Sequence, residues 1–337
     1  MPVRSSRTEQ LTLVPTAGGA PIPLFTQSRE IGDLTTQDIF QVSPDGAYLA
    51  YATGTVLHVR SHDGTERTIA DYQPSALMRF SPAGEYLAAV VGSKYSRQRL
   101  VLFDLATGAT RELATFYAVE QLEWQREAVV VHAWDPARKR DVLVEVPLAG
   151  EPRILLERGA SEIDRFVAAA TGTRVVAFVR DPARTRILAI DPHGTHDIGT
   201  IGDGVTNAAA SLDGDVVAFT AGTRLFTITG DASPRVVADR PFIHSVWIAR
   251  DGRIGYASQT EAAIVGATGA RPFDSDGWVS MLRFDPVSAQ ALVATSAHVW
   301  DIAPATPRAV ATAPAGSELL GVDHFAGGLV LWTALGP

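Results

Sequence analysis

A short turn closing on glycine, set between two apolar runs, recurs along this chain and constrains its fold more than any other feature. It stands as Ser43-Pro44-Asp45-Gly46 and returns as Ser81-Pro82-Ala83-Gly84, Ser211-Leu212-Asp213-Gly214 and Ala249-Arg250-Asp251-Gly252. Weaker copies fill the gaps at Gln125-Arg126, Thr171-Gly172-Thr173, Asp285-Pro286-Val287-Ser288 and Phe325-Ala326-Gly327. Equating Gly46, Gly84, Arg126, Gly172, Gly214, Gly252, Ser288 and Gly327 gives steps of 36 to 46 residues. Each turn has the chemistry of a tight hairpin: Pro presets φ, Asp or Ser bonds the backbone, and Gly takes the positive φ that closes it.

Wholly apolar or alternating runs follow the turns, such as Tyr86-Leu87-Ala88-Ala89-Val90-Val91 and Val175-Val176-Ala177-Phe178. They read as second strands covered on both faces. A third strand ends in another turn, as in Phe103-Asp104-Leu105-Ala106-Thr107-Gly108, and a more polar fourth strand such as Glu66-Arg67-Thr68-Ile69 follows. Charged edges of this kind resist sheet-to-sheet association. The period is that of a propeller blade. The expected fold is therefore all-β, a single β-propeller over 1–337 with eight four-stranded blades, seven being the alternative. Seven blades are expected near 36–70, 77–114, 120–157, 164–200, 206–238, 244–274 and 280–312. The eighth is shared by 9–27 and 319–334, two strands from each terminus, with a turn at Pro15-Thr16-Ala17-Gly18-Gly19 and prolines on the edge, where they are tolerated.

The SPDG turn at Ser43 and its relatives, FDLATG from Phe103 and VWDI from Val299 resemble the TolB-like and WD40-like propeller repeats of bacteria. The resemblance covers nearly the whole chain. The Gly-His pair that precedes the first strand of true WD40 repeats is missing, so the hydrogen-bonded tetrad of that family is not expected. TolB itself has six blades and an extra domain. The resemblance implies functions from scaffold to substrate gate, so function has to be argued from a site.

With 337 residues, 46% hydrophobic and 20% charged, the chain has ample material for a large core. A net charge of −8 disfavours a general nucleic-acid binder, which needs clustered cations. The absence of cysteine removes disulfides, thiolate metal sites and cysteine nucleophiles. Neither a signal-peptide apolar region nor a membrane-length apolar run is visible, so a cytoplasmic protein without membrane contact is expected. Its richness in Ala, Arg, Gly and Val has a bacterial look.

Candidate chemistry is sparse. No G-x-S-x-G nucleophile turn occurs. His193 and His196 sit beside Asp191 and Asp197, but in a hairpin turn where solvated polar residues are ordinary, so no metal, cofactor or catalytic residue is assigned. The connections between blades carry Asp33, Asp38, Asp71, Glu120, Glu162, Asp164, Asp203, Asp239, Asp274 and Asp276, which could form an acidic funnel. The same connections carry aromatic candidates for partner binding, Tyr72, Tyr117, Phe242 and Trp278, with Phe116 beside them. Loops between second and third strands bring basic candidates to the same rim: Arg97 and Arg99 with Lys94, Arg138 and Arg140 with Lys139, Arg184 and Arg186 with Arg180. Arg forks suit carboxylate or phosphate, while Asp135, Asp141 and Asp181 nearby suit local pairing instead.

The expected function is a non-enzymatic scaffold for a protein or peptide, with an acidic surface as one fitting partner. The alternative is a lyase- or lactonase-type enzyme with a divalent ion in the central channel. A quinone-cofactor dehydrogenase is a third reading, but the six Trp residues do not form its docking pattern.

Overall fold

The computed structural model describes residues 6–15, 19–30, 40–72, 77–93, 96–160, 162–266, 269–285, 290–325 and 327–335. Among them there is no helix, and hence none long and apolar enough to cross a membrane. Asp33, Asp38, Lys94, the turn at 16–18, the turn residues 286–288 and Ala326 lie outside the described residues.

The turns form as their chemistry dictates. At the first, the amide of Gly46 (φ 71°) donates to the Ser43 carbonyl at 2.8 Å, and the Ser43 hydroxyl accepts from the Tyr48 amide at 2.9 Å while donating to Asp45. Gly214 (φ 81°) repeats the arrangement, with Ser211 accepting from Val216 and donating to Asp213. Arg126 takes the equivalent position without glycine and holds φ at 53°, with its amide bonded across to the Ala170 carbonyl at 2.8 Å.

Every strand pair is antiparallel, and the strands form six four-stranded sheets and one of seven strands. The sheet of Ile163–Ala168, Val175–Asp181, Arg184–Asp191 and Gly194–Ile201 shows why the second strand is wholly apolar. Val175, Ala177 and Val179 pack toward Val130 and Leu143 of the preceding sheet, while Val176 and Phe178 pack toward Val217 and Phe219 of the following one. Period-2 alternation thus feeds two different interfaces. Each large apolar side chain so buried contributes about 1.5–3 kcal/mol.

The first two and last two described strands share one sheet. Its order is Ile22–Glu30, Ser6–Pro15, Gly328–Leu335, Ser317–Phe325, with Leu11 opposite Trp332 and Leu13 opposite Val330. Leu11, Val330 and Trp332 pack on Leu49 and Tyr51 of the sheet that follows in sequence, while Leu329 and Leu331 pack on Leu292 and Val299 of the last one before it. First strands also neighbour one another from sheet to sheet, and the series closes: Ser317–Phe325 lies beside Phe40–Val42, which lies beside Met78–Phe80.

The break expected between 114 and 120 is absent. Thr110–Gln125 is one continuous strand, fourth in one set and first in the next, which fuses two sets into the seven-stranded sheet. This run contains neither Gly nor Pro and is rich in strand formers, so nothing in it stops a strand. It bends instead at bulges around Val119, with Ala118 at φ 48°, and the Val119 amide donates to Gln98 Oε1 at 2.7 Å.

Candidate interaction rim

Antiparallel order puts the sheet-to-sheet connections and the loops between second and third strands at one end of the molecule. Most of the basic candidates there have local partners. Arg99 lies 4.0 Å from Asp71, Arg138 3.5 Å from Asp135 and Arg140 4.0 Å from Glu157. Arg184 lies 4.0 Å from Asp181, Arg186 3.0 Å from Asp197 and Arg180 2.7 Å from Asp164. Arg97 opens its strand exposed and without an ion pair among the described residues. Apart from Arg180–Asp164, whose carboxylate is buried, these are exposed pairs worth about 0–1 kcal/mol each.

Most of the described carboxylates of the connections are bonded rather than free, Asp274 being exposed without an ion pair among the described residues. Besides those just paired, Asp203 faces Arg224 at 3.9 Å, Asp239 accepts from Thr223 at 2.7 Å, Glu162 accepts from the Gly159 amide, and Asp276 meets His298 at 2.5 Å. The His298 contact helps hold the Asp276 carboxyl below its usual range despite the opposing effect of burial. His193 and His196 do not converge: the His193 amide donates to Asp191, and the His196 ring reaches Asp231 at 3.3 Å. Among the described residues no three His, Asp or Glu side chains gather as a metal site.

The aromatic candidates separate sharply. Tyr72 is corrected: it is fully buried, bridged to Val91 and packed in the large core cluster, so its ring offers nothing to a partner. Tyr117, with Phe116, lies within the continuous strand rather than in a loop, and is only 37% exposed. Phe242 and Trp278 are 68% and 50% exposed.

Phe242 is held out by its backbone. Arg240 leaves the edge strand with its amide bonded to the Thr223 carbonyl at 2.8 Å, Ile243 is buried, and the His244 amide donates to the Ala257 carbonyl at 3.0 Å. Between these anchors Phe242 adopts φ 56°, a left-handed conformation costing roughly 1–2 kcal/mol for a residue with a Cβ. Backbone strain of this sort tends to gather at functional sites.

His244 ties this connection to the next. Its Nε2 lies 3.0 Å from the Val279 carbonyl and 3.2 Å from that of Ser258. Both partners only accept, so Nε2 carries the proton. Burial lowers the His244 pKa, outweighing the two carbonyls that favour the charged ring. Val279 is the neighbour of Trp278, whose own carbonyl accepts from the Ser296 amide at 3.0 Å. Two adjacent connections, each presenting one exposed ring, are therefore joined through one neutral imidazole.

A second set of groups lines the first strands. Arg79 lies 3.7 Å from Glu123, and burial lowers the Arg165 pKa against the pull of Glu123 and Asp164. On other first strands Arg283 lies 2.7 Å from Asp323 and 5.2 Å from the centre of the Trp247 ring. The contact lacks hydrogen-bond geometry at Asp323 Oδ2, and burial pushes that carboxyl above its usual range. A sequence signal existed: Met78-Arg79-Phe80, Asp164-Arg165-Phe166 and Leu282-Arg283-Phe284 each set an arginine before an aromatic at the same place in the repeat.

No protein-family model matches the chain, and no curated protein matches it. Among solved structures it is similar to the C-terminal WD40 domain of Sif2, with a TM-score of 0.62 over 88% of this chain and 95% of that one, at 12% identity. It is also similar to the β-propeller domain of the Trilobed protease from Pyrococcus furiosus, with a TM-score of 0.55 over 78% of this chain and 90% of that one, again at 12% identity. The chain is a β-propeller. A third likeness is to the acylaminoacyl peptidase of Pyrococcus horikoshii, with a TM-score of 0.56, 12% identity and coverage of 78% of this chain. The propeller spans about half of that peptidase's length, 50%. Identities this low show the fold alone.

Proposed function

We propose that this propeller is a non-enzymatic scaffold that binds another protein through the rim at Phe242 and Trp278. The observation that carries this reading is the joining of two exposed aromatic connections by His244, one of them strained outward. Aromatic rings bury about 150–250 Å² each and dominate interface energetics. Within this reading the propeller has eight blades and belongs with the TolB-like bacterial repeats. The closed series of eight first strands supports the count, with Thr110–Gln125 serving as the edge of one blade and the start of the next. The basic hairpins orient a partner with an acidic surface, and Arg97 and Lys139 are exposed cations there without ion pairs among the described residues.

The test is affinity capture from the native host by the wild-type chain, the Phe242→Ala/Trp278→Ala double variant and the Arg97→Ala/Arg138→Ala/Arg184→Ala triple variant. The double variant should lose at least about tenfold in recovery of the wild type's partner, which corresponds to about 1.4 kcal/mol. The triple variant should mainly weaken salt dependence. Full retention by the double variant overturns the rim as the site.

A further inference from the structure

Three glutamines mark the seven-stranded sheet, at 98, 121 and 125, and two of them hold backbone amides of this chain. Gln98 accepts from the Val119 amide at 2.7 Å and places Nε2 3.5 Å from the Gly92 carbonyl. Gln121 makes a matched pair with one residue of the next sheet: its Nε2 donates to the Phe166 carbonyl at 2.6 Å, and its Oε1 accepts from the Phe166 amide at 3.2 Å. A glutamine side chain carries the same donor and acceptor as a peptide unit, so it can bond an extended backbone as a neighbouring strand would.

Gln125 has the same chemistry and no such partner. It is 4% exposed, and its buried Nε2 has no hydrogen bond among the described residues. A buried donor left in this state costs about 1–3 kcal/mol. Its surroundings are a groove. Gln125, Glu145 and Thr173 form the wall common to two depressions of about 800 Å³ and about 300 Å³, made by the turns at the end of the propeller opposite the rim. The larger lies within the roughly 300–1,000 Å³ usual for binding sites.

The groove's walls describe what would fill it. Carboxylates outnumber guanidinium groups, with Glu85, Glu127, Glu145 and Asp191 against Arg126 and Arg153. Arg153 is committed to Glu145 at 2.8 Å, while Glu85 and Glu127 are exposed and without ion pairs among the described residues. Apolar surface lies alongside, including Leu148 in the larger depression and Ile154, 42% exposed, in the smaller. An occupant therefore needs a backbone amide, an apolar side chain and a positive charge in one extended piece.

We infer that this groove is a second peptide-binding site, in which Gln125 pairs with the backbone of a linear segment bearing basic and apolar side chains. The site is separate from the rim and does not depend on it. Its test is selection of a display library of random linear peptides on the full chain, followed by direct affinity measurement of the isolates. Isolates should combine Lys or Arg with a neighbouring apolar residue. Gln125→Met should weaken them at least about tenfold, Glu127→Lys should weaken them as well, and the Phe242→Ala/Trp278→Ala variant should leave them unchanged.

Gln125→Met should also match or exceed the wild type in denaturant resistance, because it replaces an unpaired buried amide with an apolar group of similar length. The inference is overturned if no isolate depends on Gln125, or if isolates are lost only in the rim variant, an outcome that would leave the rim reading standing. A marked loss of stability in Gln125→Met also overturns it, since that result assigns the amide a partner inside the folded chain.

Discussion

The chain crosses from one blade to the next in two contrasting ways. At Thr110–Gln125 it never leaves the strand, and the aromatic residues of the crossing, Phe116 and Tyr117, stay partly covered by the ladder around them. At 240–244 it leaves one edge strand, turns through a left-handed residue and re-enters the next sheet, and the ring at the apex is 68% exposed. Backbone amides anchor both, through a strand ladder and Gln98 in the first and, at the two ends of the turn, through Thr223 and Ala257 in the second. The contrast teaches that an aromatic in a connection is turned mostly outward where the backbone breaks and stays partly covered where the strand continues. Position in the repeat alone does not decide it.

The largest effect is expected where the continuous crossing is bolted down. Gln98 is 3% exposed and supplies the acceptor for the Val119 amide at the bulge. Gln98→Leu leaves that amide without its partner and should cost about 1–3 kcal/mol. Chemical denaturation should show the midpoint fall with an unchanged slope if the seven-stranded sheet unfolds with the rest. A two-step transition would instead mean that the fused sheet melts separately from the remaining blades.

The same contrast explains what is legible in the sequence. The glycine turns and apolar second strands are visible because hairpin chemistry is local and two-sided burial requires an uninterrupted apolar run. The break expected near 115–119 follows from the repeat frame, whereas the absence of Gly and Pro over Thr110–Gln125 is the local signal that no break occurs. Tyr72 and Phe242 cannot be separated by residue type: one is bridged to Val91 in the core and the other is turned out by its φ. The basic hairpins are visible as a pattern, but Arg140 and Arg186 are paired by Glu157 and Asp197, which only strand pairing brings within reach of them. Gln125 lacks any sequence mark, because its significance lies in a hydrogen bond that Gln121 makes and it does not.

The broken crossing should respond to pH. Burial lowers the folded-state pKa of His244 below the ordinary imidazole value of about 6.5. The unfolded chain therefore takes up a proton first as the pH falls, and the contribution of the neutral ring is present above about pH 6.5 and lost as pH falls through the folded pKa. The slope is limited to about 1.4 kcal/mol per pH unit for one proton. Denaturation of wild type and His244→Gln compared between about pH 7 and about pH 5 checks it, since glutamine can still donate to Val279 but does not titrate. Parallel curves for the two proteins would mean that the imidazole is not the group whose ionisation loosens the rim.

The smallest expected effect is a gain, and it divides stability from recognition at one residue. Phe242 holds φ at 56°, which costs roughly 1–2 kcal/mol, and glycine adopts that conformation freely while adding about 0.5–1 kcal/mol of chain entropy to the unfolded state. With little contact to lose from a ring 68% exposed, Phe242→Gly should leave stability unchanged or raise it by up to about 1 kcal/mol. The same change removes the ring from the rim and should reduce partner recovery as strongly as Phe242→Ala. A variant that folds as well or better and binds worse means that the conformation at 242 is kept for contact with a partner. A variant that loses more than about 1 kcal/mol would instead show the ring packing against its own blade, and the two crossings would then differ in geometry alone.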